Sequence, residues 1–162
     1  MSLRIFYHPY YSSLTLPERH RFPLAKYQAL YQILATQGYP LAEAPAASRQ
    51  QITRVHDADY VAAALAGTLD DGAIRRLGFP WSPMLIERTL RSVGATIAAS
   101  RHALEQGCGL QVSGGYHHAH RDFGSGFCLF NDLVIAARAC LDEGRCERVL
   151  IVDLDVHQGD GS

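Results

Sequence analysis

Polar and apolar positions alternate along Leu3-Arg4-Ile5-Phe6-Tyr7, the period of a short strand, and the run ends in the Pro-containing loop His8-Pro9-Tyr10-Tyr11. The stretch HPYYSSLTLPERHRFP has no period and predicts a long ordered loop, with His20 read as a surface histidine. Helical spacing then takes over. Tyr27, Leu30, Ile33 and Leu34 predict a helix from Ala25 to Gln37, with Gly38 as its stop. Tyr39 to Ala47 reads as an extended or irregular return, and Ser48 with Gln51 fits a capping box. Asp57 predicts the cap of a short helix running to about Ala66, beside His56, which suits packing as well as function. Gly67 to Phe79, with GTLDDG and LGFP, is turn-rich and predicts a surface excursion. Ser82-Pro83 opens the longest helix, because Ser accepts from free amides and Pro is tolerated at the first helical position. Its core stripe is Ile86, Leu90, Val93, Ile97 and Leu104, with Glu87, Arg88, Arg91 and Arg101 on the surface and Gly107 or Gly109 ending it.

The last third of the chain changes rhythm. Leu110 to Ser113 predicts a strand, GGYHHAHRDFGSGFC a loop, Phe130 to Glu143 a helix ended by Gly144, and Arg148 to Leu154 a second strand. That order predicts a βαβ unit and hence a parallel sheet. Val149-Leu150-Ile151-Val152 is wholly apolar, as in a strand buried on both faces. A right-handed crossover puts the carboxyl ends of both strands on one sheet edge, where open α/β sheets bind ligands. The His117-His118 loop is therefore expected to meet the tip carrying Asp155 and His157.

At that tip Asp153, Asp155 and His157 share one face of an extended backbone. One Asp at a strand end is ordinary loop chemistry. Two carboxylates and an imidazole, followed by Gly159-Asp160-Gly161, instead suit a borderline metal such as zinc. The tandem His117-His118 follows two glycines that allow a tight turn. Two imidazoles beside a metal can serve as general base and acid, each oriented by a carboxylate, for which Asp153 and Asp160 are the candidates. Zinc with three protein ligands brings the pKa of its water to roughly 7 and polarises a carbonyl, so metal-assisted amide hydrolysis fits. An HH pair alone also occurs in metal-binding loops without catalysis.

Composition adds boundaries. The 162 residues suffice for one domain, and 48% hydrophobic with 19% charged residues is ordinary globular chemistry. Lys+Arg 15 against Asp+Glu 16 leaves no basic field to hold a nucleic-acid backbone. Of the eight histidines, three fall within 117–120. The four cysteines form no C-x-x-C pair, and no leader or membrane-length apolar run is seen, so a reduced, cytoplasmic protein is expected.

GGYHHAHRDFGSGFCLFND followed by VDLDVHQGDG closely resembles the zinc-dependent histone deacetylase family of the arginase/deacetylase superfamily. YHPYYS, VHDADYV and Gly78-Phe79-Pro80-Trp81-Ser82 also match bacterial members near the class IV branch, so the resemblance spans essentially the whole chain. It implies a three-layer α/β/α fold with a mainly parallel sheet. It implies Asp155 and His157 as zinc ligands, and His117 and His118 as the tandem pair, His118 passing the proton to the leaving amine. Asp153 matches the carboxylate paired with His117, and Asp160 the one paired with His118. Gly126 and Phe127 resemble the acyl-tunnel wall, the Gly126 carbonyl accepting from the substrate amide, and Cys128 a packed cysteine. A structural potassium ion is implied at Asp153, Asp155 and His157, partly through main-chain oxygens.

The family carries a third zinc ligand, an Asp, and an oxyanion-stabilising tyrosine downstream of the motif at which this chain ends. Gln158 stands where many members have a second histidine. The expected organisation is thus residues 1–162 as the N-terminal half of one deacetylase domain, whose edge would be an exposed apolar strand. The expected activity is hydrolysis of N-acetyl or longer acyl amides, acetyl-lysine first, without direct nucleic-acid or membrane binding. Alternatives are a hydrolase of acetylated small molecules such as polyamines, a non-catalytic acyl-binding module, and an incomplete folding fragment. Oligomeric state is not indicated.

Overall fold

The structure, a computed structural model, describes residues 2–162. Strand β1 (Ser2–Tyr7) is the centre of a three-stranded sheet of order β2-β1-β3, with β2 at Leu41–Glu43 and β3 at Gly107–Gln111. Both pairings are parallel, with Ile5 opposite Leu41 on one side and Leu110 on the other. The predicted α/β class with a parallel sheet is therefore what the chain forms. Helix α1 (Ala25–Thr36) links β1 to β2, and α2 (Arg49–Thr53), α3 (Ala58–Ala66), α4 (Asp71–Leu77) and α5 (Pro83–Gln106) link β2 to β3. Helix α6 (Asp132–Asp142) packs on α5.

Start signals in the sequence become caps. Ser48 and Gln51 form the reciprocal capping box, Asp57 accepts from the Asp59 and Tyr60 amides, and Ser82 accepts from Leu85 with Pro83 in the first turn. Helix α5 supplies the centre of the core. Its Val93 and Ile97 pack with Leu77, Phe79, Phe130 and Ile135, while Ala95 and Ala99 meet Phe6 and Tyr7 of the sheet.

Several expectations are corrected. Residues 71–77 are helical, not an excursion: Asp70 caps the helix by accepting from Ala73, and Leu77 is buried. The expected strand at 110–113 lies earlier, at Gly107–Gln111, because β3 begins directly at the end of α5. Leu30 and Ile33 of α1 and Leu104 of α5 are exposed, since α1 docks mainly through its tyrosines and α5 outruns the core. Arg88 is only 1% exposed rather than on the surface. Residues 148–154 form no strand, so the βαβ unit is not closed and the run is not buried on either face. A strand needs a hydrogen-bonded neighbour, and this segment pairs with none of the three strands.

Candidate active site

The loop from Ser113 to Phe130 carries the tandem histidines, and its turn is held from beneath. Gly114 has φ 101, and a Cβ there would meet Asp132 Oδ2 at 2.4 Å, so the carboxylate comes as close as only glycine permits. The fully buried Asp132 accepts from the backbone amides of Gly115 (3.2 Å) and Tyr116 (2.8 Å), from Gln111 Nε2 (3.2 Å) and from the Thr96 hydroxyl. Burial pushes its carboxyl pKa up. The neighbouring Arg88 guanidinium donates to the Tyr11 carbonyl (3.3 Å) and to the hydroxyls of Tyr116 and Tyr27 (3.2 Å each).

The C-terminal segment folds over this loop. Gly161 N donates to the His117 carbonyl at 2.8 Å, and Asn131 Nδ2 donates to the Gly161 carbonyl at 3.0 Å while Asn131 Oδ1 caps α6. These contacts bring the two motifs together without a strand. His117 Nδ1 donates to Asp153 Oδ2 at 2.7 Å, and His118 Nδ1 donates to Asp160 Oδ1 at 2.6 Å. The two tandem rings stand 4.2 Å apart, and His118 lies 6.1 Å from the His157 ring. His117 is buried, whereas Asp153, Asp155, His157 and Asp160 are exposed.

Each carboxylate is held below its ordinary pKa. For Asp153 the main cause is the Asp155 amide, then His117; for Asp155 it is the His157 amide, then the His157 ring. Asp160 falls to about 2, through His118 first and His120 second. Carboxylates ionised at neutral pH only accept, so Nδ1 of both tandem rings carries hydrogen and Nε2 is left for chemistry.

His117, His118, Gly126, Phe127, Asp155 and His157 all line one cavity of about 450 Å³, together with Phe22, Lys26, Tyr27 and Tyr116. Phe127 stands at φ 68, unusual for a side-chain-bearing residue, and its amide donates to the Leu77 carbonyl at 2.8 Å. Its ring packs on Phe79 (5.1 Å), Phe22 (5.3 Å) and His20 (5.7 Å). His20 is half-buried and donates from Nε2 to the Gly78 carbonyl at 2.8 Å, so it braces this wall. Cys128 is buried, and burial pushes its thiol up to about 12, which leaves it a packing residue.

Asp155 and His157 offer oxygen and nitrogen donors of the type zinc takes. His157 donates to Asp155 Oδ1 at 2.8 Å through Nδ1, leaving Nε2 as its free donor atom. Among the described residues no three His, Cys, Asp or Glu side chains converge as a metal site, so the donor chemistry fits zinc but the ligand count stops short of three. Sequence reasoning missed Asp132, Asn131, Arg88, His120 and the rings of Phe22 and Phe79 that pack on Phe127. Only two of them carried a signal: Asn131 has the form of a helix cap, and His120 belongs to the histidine cluster. Among the described residues no helix is long and apolar enough to cross a membrane.

A family model described as "Histone deacetylase domain" matches residues 20–162. An uncharacterized protein of a Picosynechococcus strain is 44% identical, over 100% of this chain and 55% of its own length. The acetoin utilization protein AcuC of Bacillus subtilis is 30% identical, over 96% of this chain and 43% of its own. Histone deacetylase 2 of Arabidopsis thaliana is 28% identical, over 93% and 41%. The crystal structure of the HDA15 HD domain superposes with a TM-score of 0.80 at 22% identity, covering 99% of this chain and 48% of that one, a likeness of fold. The chain thus spans about half the length of the curated relatives it matches.

Proposed function

We propose that this chain, which belongs to the histone deacetylase domain family, is the N-terminal half of a zinc-dependent hydrolase of N-acyl amides, acetyl-lysine being its first substrate class. The observation that carries this reading is the pair of imidazole–carboxylate contacts, His117 with Asp153 and His118 with Asp160, opening on one cavity beside Asp155 and His157. Asp155 and His157 would hold the zinc, and the third donor that a catalytic site needs would come from sequence outside this span. When bound, the metal supplies an activated water and polarises the acyl carbonyl. Asp153, Asp155 and His157 would also hold a potassium ion, partly by main-chain oxygens.

The chain's own residues do the rest. Asp153 and Asp160 fix both rings with Nε2 toward the cavity. His118 takes a proton from the attacking water and delivers it to the leaving amine, while His117 supports the charge that develops. Phe127 and Gly126 wall the acyl group, the Gly126 carbonyl accepting from the substrate amide. The buried Cys128 thiol donates to that same carbonyl at 3.5 Å and holds it in place.

The test combines metal content with turnover in the full-length protein. Zinc near one per chain, lost in Asp155→Ala, together with acetyl-lysine hydrolysis abolished by chelation, is the expected result. A zinc-loaded protein inert toward a panel of acyl-lysines and acetylated polyamines would overturn the hydrolase reading. Turnover confined to the polyamines would move the substrate class to small molecules.

A further inference from the structure

His120 lies two residues beyond the tandem pair, and its Nε2 reaches Asp160 Oδ2 at 3.2 Å, on the oxygen that His118 does not use. We propose that His120 is a positioning residue for His118: by holding one oxygen of Asp160 it keeps the other aimed at the His118 Nδ1–H. This inference rests on the reading of His118 as the proton-handling residue.

Among the described residues the Asp160 carboxylate has no side-chain partners besides these two rings, and it is about half exposed. An exposed carboxylate tied at one oxygen swivels about its side-chain torsions; a second tie removes that freedom. The short bond to His118 is then kept by geometry rather than found anew in each turnover. Asp160 is ionised at neutral pH, so both rings must present N–H to it, which fixes His118 Nε2 as the free, reactive atom.

His120 is itself fixed. Its amide donates to the Phe123 carbonyl at 2.9 Å, and its ring stacks on Phe123 at 4.3 Å with 17° between planes. The Arg76 guanidinium lies 4.3 Å over the same Phe123 ring. Arg76 lies in the last turn of α4, and its carbonyl accepts from Gly126 N at 3.3 Å. One short helix thus anchors both the acyl wall and, through Phe123 and His120, the carboxylate behind His118. The open cavity between His118, Gly126 and Asp160 leaves this arrangement wet, so without the second tie water would compete for Asp160.

The experiment compares H120A with H120Q, whose side-chain amide keeps a donor at the right reach. In histidine-labelled protein, NMR would follow solvent exchange of the His118 Nδ1 proton, assigned by its loss in D160A. Exchange should quicken about 10-fold in H120A and return near the parent rate in H120Q. Turnover on an acyl-lysine substrate should fall by a similar factor in H120A with KM unchanged, and be restored in H120Q. An unchanged exchange rate in H120A overturns the proposal. Equal damage in both variants also overturns it, because the ring stack and not the donor would then matter. Absence of turnover in the parent protein would count against the hydrolase reading alone, and the exchange measurement would still decide the role of His120.

Discussion

His56 is buried with both ring nitrogens committed: Nδ1 donates to the Arg121 carbonyl at 3.3 Å and Nε2 accepts from the Asn131 amide at 2.9 Å. Only the neutral ring makes both bonds, and burial holds its pKa below the ordinary histidine value. The unfolded chain therefore takes up this proton first on acidification. Stability is full above the unfolded pKa of about 6.5 and is lost as pH falls toward the folded value. Melting temperature should drop from neutral pH to the mid-acid range, with buried His8 acting in the same direction. The His56→Gln protein should be less stable at neutral pH yet lose less on acidification; equal acid losses in both proteins would refute the assignment. Asp132 gives a larger effect. Its removal as Asp132→Ala strands the Tyr116 amide in the core and takes an acceptor from the part-buried Thr96 hydroxyl and Gln111 side-chain amide, and each buried donor left unpaired costs about 1–3 kcal/mol. We expect roughly 2–5 kcal/mol by urea unfolding, and a loss under 1 kcal/mol would mean the turn holds itself. At this scale the sequence shows chemistry better than support. His117, His118, Asp153, Asp155, His157 and Asp160 declare themselves by type and spacing. Arg88 and Asp132 do not, because what makes them matter is burial in a folded interior, and charge on a helix ordinarily signals solvent.

Helix α5 was readable from Ser82, Pro83 and its apolar stripe because a helix of 24 residues repeats its pattern many times over. Helix α4, of 7 residues, offers too few turns for a period to show, and the Asp70-Asp71-Gly72 that cap and open it are also turn residues. Yet α4 is the element that anchors Gly126, Phe127 and the His120 stack. The 148–154 run failed for the opposite reason: its composition is that of a strand, but pairing is a property of neighbours, and none is in place. A test at this scale is the crossing of α5 over residues 44–47. The Leu90 carbonyl accepts from Ala47 N at 2.9 Å, and Arg91 donates to the Ala44 carbonyl at 3.1 Å. A Cβ on Gly94 would stand 2.1 Å from the Pro45 carbonyl oxygen and 2.7 Å from Ala47 N. Alanine in a helix ordinarily gains up to about 1 kcal/mol over glycine. Overpacking against backbone costs about 1–3 kcal/mol or more, so the sign reverses. Gly94→Ala should lower the urea midpoint, and a raised midpoint would show that the 44–47 segment yields.

At the scale of the whole molecule an apolar border stands uncovered among the described residues. Leu150 is 84% exposed and Val152 70%, and Leu154 and Val156 are more exposed still. Nearby, Leu104 and residues 149–152 flank a groove of about 500 Å³ over α5 and α6, while among the described residues β3 has only β1 as a neighbour. Unpaired strand edges and contiguous apolar patches drive association. The 162-residue chain by itself should therefore associate as concentration rises, and the apolar strip should carry the effect. Burying one such side chain is worth about 1.5–3 kcal/mol, so replacing two should weaken self-association by roughly 3–6 kcal/mol. The double variant Leu150→Lys, Val152→Lys tests this without touching the histidine–carboxylate pairs. Its light scattering and sedimentation should stay monomer-like at concentrations where the parent chain has grown. If parent and variant associate alike, the driving surface lies elsewhere, and the edge of β3, with Leu110 half exposed, would be the next to charge. The same variant separates association from the site: a chain made monomeric but still holding the Asp160 contact to His118 would show that the tandem-histidine loop is organised within one copy. Loss of that contact on becoming monomeric would place its support in the neighbour instead.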